Sequence, residues 1–337
     1  MDGLIAAVDR LSWLIVAMAG AICAIVVVST IIGFAPVGRT FADWLTYVHA
    51  VDRVTSGAPI YAPEQLAGPY VLVGVTLYGY AYPPSSVPLF LPFSSYPIGL
   101  VLWLTLNAGA LLTGLYAILR TELRRHARVE FAVVLVALAF LRGFPEGVAF
   151  GNASVAMAGL FAWAWVIGRG KAAVGVFAGI GATIKLVPGV LVFWSDRRDL
   201  ARVVAVTAAV AGGLFVLTLP FVGIASWLDY VRALSLSQPA CGAEPPVSLA
   251  CILQPVVGVT IAKLAGIGIA LVAGIVAVMT RSALIAFGLL AIAWLAPVTD
   301  LHFHYLLVVY VWFVVAGAHW LGRRSVGGGE VERRSAP

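Results

Sequence analysis

Apolar residues along this chain come in long runs, and polar residues are confined to the intervals between them. Residues 11–34 carry no charge. As a helix they reach about 36 Å, enough to cross a bilayer with some tilt. The run is longer than a signal-peptide core, so a retained first span is predicted. Pro36 and Gly38 end it. Further spans are predicted near 97–119, 129–142, 152–168, 201–221, 252–280, 282–298 and 302–321. Pro88, Pro92 and Pro97 break the uncharged stretch from Ser85 into a short helix before the second span. Residues 172–194 are one apolar stretch with Lys185 and Pro188 near its middle and basic clusters at both ends. A re-entrant hairpin, or two short helices turning near Lys185, keeps both clusters on one side.

Two polar intervals stand out, 39–84 and 222–250. The first is helical from Asp43 to Thr55 and turn-rich over 57–70, through Gly57, Pro59, Pro63, Gly68 and Pro69. The expected fold is an all-α polytopic membrane protein of about 8–10 transmembrane helices, each needing ~20 apolar residues. It forms a single integral membrane domain over 1–322, followed by a polar, Gly-rich tail at 323–337 that reads as disordered and cytoplasmic.

Composition agrees. The chain is 62% hydrophobic and only 11% charged, with a mean hydropathy of +1.02, which excludes a soluble domain of ordinary composition. The net charge of +6 reflects orientation in a bilayer and not nucleic-acid binding. With both termini cytoplasmic, Arg39, Arg53, Arg142 and Arg232 fall outside and Lys185 and Lys263 within apolar runs; the remaining fifteen of the 21 Lys and Arg fall inside. The positive-inside bias therefore places the 39–84 and 222–250 loops on the extracytoplasmic face. Cys241 and Cys251 flank the second loop on that oxidising side. They either pair in a disulfide, or Cys251 lies buried in the following helix.

Ionisable groups collect at the same face. Asp43, Asp52 and Glu64 lie on the first loop, and Arg142, Glu146 and Asn152 on a short outer loop at 142–152. Asp300, His302 and His304 lie at the last outer turn. Burying such groups is costly unless they are paired or used. Asp43 reads either as a helix N-cap or as a catalytic carboxylate. His302 and His304, two apart, do not share one helical face; at most one is expected to face a site unless the backbone is irregular. They otherwise anchor an interface beside Trp294 and Trp312. Lys185 is a partner for phosphate or carboxylate, or a snorkelling residue. No HExxH, CxxC, phosphate-loop or GxSxG spacing occurs.

Asp43, Tyr47, Gly57, Pro59-Ile60-Tyr61 and Tyr80-Ala81-Tyr82-Pro83-Pro84 together resemble the start of glycosyltransferase family 87. Gly151-Asn152, the segment Ala182 to Pro188 containing Lys185, and Ala296-Pro297 through His302 to Tyr305 are similar to its later elements, in the same order. The resemblance implies a GT-C-type fold with an extracytoplasmic catalytic loop. It also implies transfer of mannose from polyprenyl-phosphate mannose to a lipid-linked or cell-envelope glycan acceptor, with inversion. It singles out Asp43 as the general base. His302 and His304 join it as catalytic candidates, and Tyr47, Tyr82, Arg142, Asn152, Lys185 and Asp300 as substrate-binding ones. The tyrosines and Trp44 would offer stacking faces to sugar rings. No metal cofactor is implied, because the leaving group carries one phosphate. The competing readings are another polyprenyl-linked sugar, such as arabinose or glucose, and a secondary transporter.

Overall fold

The apolar runs become helices in the computed structural model, which describes residues 2–71, 79–123, 127–239, 241, 248–299 and 302–334. The first run lies within α1 (Asp2–Phe34), followed by a 3-10 turn that Gly38 closes with a left-handed φ of 66°. Then comes α2 (Ala42–Thr55), with Asp43 in its first turn and Arg53 in its last, the polarity its dipole favours. Trp44, Tyr47, Ala50 and Val51 recur at helical spacing and form its buried face. Short pieces follow: α3 (Pro63–Ala67), the two-residue strand β1 (Tyr70–Val71) and, after a proline-led turn, α4 (Val87–Phe90).

The bundle proper comprises α5 (Ile98–Leu123), α6 (Ala127–Phe140), α7 (Gly143–Phe150), α8 (Ser154–Ile167) and α9 (Ala172–Ile184). It continues through α10 (Leu200–Leu236), the strand β2 (Ser237–Gln238), α11 (Leu249–Val257), α12 (Val259–Met279), α13 (Ala283–Leu295) and α14 (Leu307–Arg334). The chain is an all-α, multi-pass membrane protein. Among the described residues, five helical stretches are long and apolar enough to cross a bilayer, or six if the α6–α7 pair, bent by 69°, is one span. That is fewer than the eight to ten expected. Helices α8, α9 and α13 have only 13 or 14 residues and reach about 20 Å, short of a ~30 Å hydrocarbon core.

Several boundaries differ from the pattern reading. The supposed outer loop at 142–152 is mostly the helix α7. The predicted loop at 222–250 begins as helix, because α10 continues to Leu236 across a break at Gly223 (φ 69°) that follows Pro220. The 252–280 span is divided at Gly258 between α11 and α12. Where a disordered tail is expected from 323, α14 runs on to Arg334. The 172–194 stretch does turn at Lys185: α9 ends there and a 3-10 helix spans Val187–Phe193. The segment between Ser85 and Pro97 is broken as its prolines require.

Two features tie the polar intervals together. β1 pairs with β2 in parallel, Tyr70 opposite Ser237 and Val71 opposite Gln238. Cys241 and Cys251 form a disulfide between the connection after α10 and the first turn of α11. Lys263, one of the two lysines within apolar runs, donates to the carbonyls of Leu234 (3.2 Å) and Ser237. It thus satisfies acceptors that the end of α10 leaves open.

Candidate active site

The aromatic residues of the first interval pack on one another. Tyr47 stacks on Phe90 (ring centroids 4.1 Å apart) and meets Tyr82 and Trp103 edge-on. Trp44, Tyr47, Tyr61 and Tyr80 are buried. Their rings form the core of the loop and are not open platforms, contrary to the expectation of sugar-stacking faces. Burial, and then the nearby Asp43 carboxylate, pushes the Tyr47 phenol well above its usual range. Tyr82 is raised by burial, then by Tyr47 and Asp43. Both therefore act as neutral hydrogen-bonding groups. Tyr47 Oη donates to Tyr82 Oη at 3.0 Å and accepts the Ala153 N–H at 3.1 Å, which pins α2 to the start of α8.

Asp43 is thereby held against the α7–α8 junction. Gly151 ends α7 with a left-handed φ of 67°, and a Cβ there would stand 2.8 Å from the Trp44 Cβ. Only glycine allows both the turn and this approach. Trp103 Nε1 fixes the Gly151 carbonyl at 2.7 Å. Asn152 follows, buried. Its Oδ1 accepts the Ser154 N–H at 2.7 Å, and its Nδ2 donates to Asp43 Oδ2 at 2.8 Å. The first bond sets the amide orientation, so the second is an N–H donor presented to a carboxylate. Asp52 and Glu64 are exposed and lie outside this network.

Lys185 reaches the same junction from α9. Its backbone is extended (φ −153°, ψ 120°) where the helix stops. Nζ donates to Ser154 Oγ at 2.9 Å and lies 4.0 Å from the Tyr305 ring centroid and 5.3 Å from that of Tyr82. The cation is directed into the protein and does not snorkel along its surface. Hydrogen bonds now run from Asp43 through Asn152 and Ser154 to Lys185. Ser154 carried no sequence signal, since a serine opening a helix is ordinarily a capping residue.

The two histidines enter from the start of α14. His302 is extended (φ −86°, ψ 161°) before a 3-10 turn over Phe303–Leu306. This irregular backbone overrides helical spacing and brings both rings alongside each other, 5.5 Å between centroids. His302 is exposed and His304 buried. Neither His304 nitrogen has a hydrogen-bond partner among the described residues. Such a group is costly to bury unpaired, and among the described residues nothing meets that cost. Helix α7 backs it: a Cβ on Gly143 would collide with the Phe303 carbonyl, and one on Gly147 would lie 3.1 Å from the His304 Cβ.

Arg142, expected to bind substrate, is at the rim. It is ion-paired with the buried Glu146 and stacked 4.3 Å from the Phe303 ring. Asp300 lies outside the described residues. Among those described, no three His, Cys, Asp or Glu side chains gather as a metal-ligand set.

A carboxylate with a fixed amide donor, a lysine, and a buried histidine with open nitrogens suit group transfer through a charged leaving group. The comparisons agree. The model of glycosyltransferase family 87 matches residues 80–336. The chain belongs to glycosyltransferase family 87. It is a membrane glycosyltransferase, and its partners are a sugar donor, an acceptor and the bilayer. The family match takes in Asn152, Lys185, His302 and His304 and begins after Asp43, so the Asn152–Asp43 hydrogen bond joins the carboxylate to the matched region. No match was found among curated proteins or among solved structures.

Proposed function

We propose that this glycosyltransferase transfers mannose from polyprenyl-phosphate mannose to a lipid-linked or cell-envelope glycan acceptor on the extracytoplasmic face, with Asp43 as general base. The observation that carries this reading is the hydrogen bond from Asn152 Nδ2 to Asp43 Oδ2 at 2.8 Å, at one end of a network whose other end is Lys185.

The acceptor hydroxyl attacks the anomeric carbon and gives its proton to Asp43 as the new C–O bond forms. The bond from that carbon to the phosphate oxygen breaks, and polyprenyl phosphate departs with the electron pair. Lys185 offsets the charge growing on the phosphate, and His304 donates one N–H to a phosphate oxygen. A single displacement inverts the anomeric centre, so a β-linked donor gives an α-glycoside. The residues of this chain supply base, cation and donor, and the reading assigns no metal to the step. The positive-inside charge bias and the Cys241–Cys251 disulfide both support an extracytoplasmic site.

The test is sugar transfer by the reconstituted protein, with mannosyl, glucosyl and arabinosyl polyprenyl phosphates offered in parallel. Transfer from the mannosyl donor, lost in Asp43→Asn with folding intact, is the expected result. Preference for another sugar overturns the donor assignment, and full activity of Asp43→Asn overturns the role of Asp43.

A further inference from the structure

An apolar groove lies away from the site, between α1, α5, α6 and α8, and encloses about 830 Å³. It follows α5 from Ala108 to Arg120, a length of about 18 Å at the helical rise. That is close to the depth of one bilayer leaflet, half of a ~30 Å hydrocarbon core. One end abuts Phe144 and Val148 of α7, both buried. The other end is cationic. Arg120 lines it and is exposed. Trp13 lines it as well, and the Arg128 guanidinium stands 4.6 Å from the Trp13 ring centroid.

We infer that this groove is a seat for an anionic phospholipid, with one acyl chain along α5 and the headgroup phosphate on Arg120 beside Arg128. Charge complementarity selects the headgroup: guanidinium binds phosphate through paired N–H donors and is always charged. Depth selects the chain: a pocket one leaflet deep that ends on α7 suits an acyl tail, whereas a polyprenyl chain longer than a leaflet would overrun it. The inference stands independently of the glycosyl donor, because no described contact links Arg120 to Asp43, Lys185 or His304. It assigns to α1 the role of second wall of a lipid site in addition to that of a membrane span.

The experiment is native mass spectrometry of the full chain, stripped of lipid in detergent and then offered phosphatidylglycerol, phosphatidylcholine and polyprenyl phosphate. Wild type should retain phosphatidylglycerol over phosphatidylcholine by roughly fivefold or more, the weight of one arginine at an anionic surface. Arg120→Gln should bring that ratio near one while both lipids still bind. Gly20 lines the groove, and a Cβ there meets nothing within 4 Å. Gly20→Phe should therefore fill the groove and abolish retention of both phospholipids at unchanged elution volume and melting temperature. Equal retention of the two phospholipids by wild type overturns the inference. So does a ratio unchanged in Arg120→Gln, or preferential retention of polyprenyl phosphate that Gly20→Phe removes. Should Gly20→Phe elute as a misfolded species, the Arg120→Gln ratio decides alone.

Discussion

Asn152 and Asp43 lie 109 positions apart in the chain and are joined by one hydrogen bond of 2.8 Å, amide to carboxylate. The bond fixes the direction of the carboxylate at the α7–α8 junction. Asp43→Asn should lower transfer by about 10²–10⁴-fold, the usual weight of a positioned base. Asn152→Asp is the sharper probe. A second carboxylate facing Asp43 raises its pKa by like-charge repulsion. The base is then lost at a higher pH than in wild type, so the acidic limb of the pH–rate profile should move upward. A profile that scales down without moving would assign Asn152 a packing role only.

The two histidines should separate in kinetics. His304 is buried, its ring nitrogens unpartnered among the described residues, and His302 is exposed. His304→Ala should lower kcat by about 10²-fold, in the range for loss of one positioned donor. His302→Ala should stay within about threefold of wild type on the same scale. Steady-state transfer rates on both variants check this, and equal losses would place both rings at the substrate.

Lys185 is assigned to the leaving phosphate through Ser154 and Tyr305. Lys185→Met keeps the length of the side chain and removes its charge; kcat should fall by about 10²–10³-fold. Lys185→Arg should recover part of that loss. Ser154→Ala frees the ammonium from its fixed direction and should cost about tenfold, consistent with one hydrogen bond to a charged group. A Lys185→Met variant with normal kcat and raised KM would make the lysine a binding residue alone.

Gly143 sits against the Phe303 carbonyl, with no room for a side chain. Gly143→Ala should destabilise the fold by about 1–3 kcal/mol, the ordinary cost of overpacking. It should also displace the turn carrying His304, so activity should fall further than the melting temperature alone explains. Thermal melting in detergent beside transfer assays checks both.

The disulfide between Cys241 and Cys251 closes a loop with a sequence separation of 10. In the chain-entropy view such a loop contributes about 2–3 kcal/mol. Cys251→Ser, or a reductant added to wild type, should lower the melting temperature by a matching amount. Membrane-impermeant thiol reagents applied to intact cells after reduction report which face carries the pair; labelling is expected from outside.

Much of this protein was legible in its sequence, because a bilayer imposes a coarse and strict rule. Backbone polar groups must be satisfied internally, so uncharged runs such as 11–34 become helices wherever they occur. Prolines at 88, 92 and 97 mark where new helical segments begin, and the lysine at 185 marks where α9 stops. The arginine distribution and the family-like order of motifs pointed to a membrane glycosyltransferase before any fold was known.

Tertiary structure decided what local pattern could not. Polar-looking intervals such as 142–152 and 222–236 became helix because packing stabilises residues whose own periodicity is weak: the first lies against α1, and Val222, Tyr230 and Ala233 of the second join the aromatic cluster around Tyr61. The tyrosines turned inward, since a ring gains more by covering another ring than by facing water. Which carboxylate meets a donor depends on contacts between residues over a hundred positions apart. Asp43, Asp52 and Glu64 are alike as residues on a polar loop; the fold brings the Asn152 amide to Asp43, and Asn152 and Ser154 connect it to Lys185. The extended backbone at His302 likewise brings the two rings to one side against the helical rule. Sequence alone determined the solvent this chain lives in, the elements that solvent demands and the class of chemistry. The fold decided which side chains meet, because side-chain contact is set by long-range packing and not by neighbourhood along the chain.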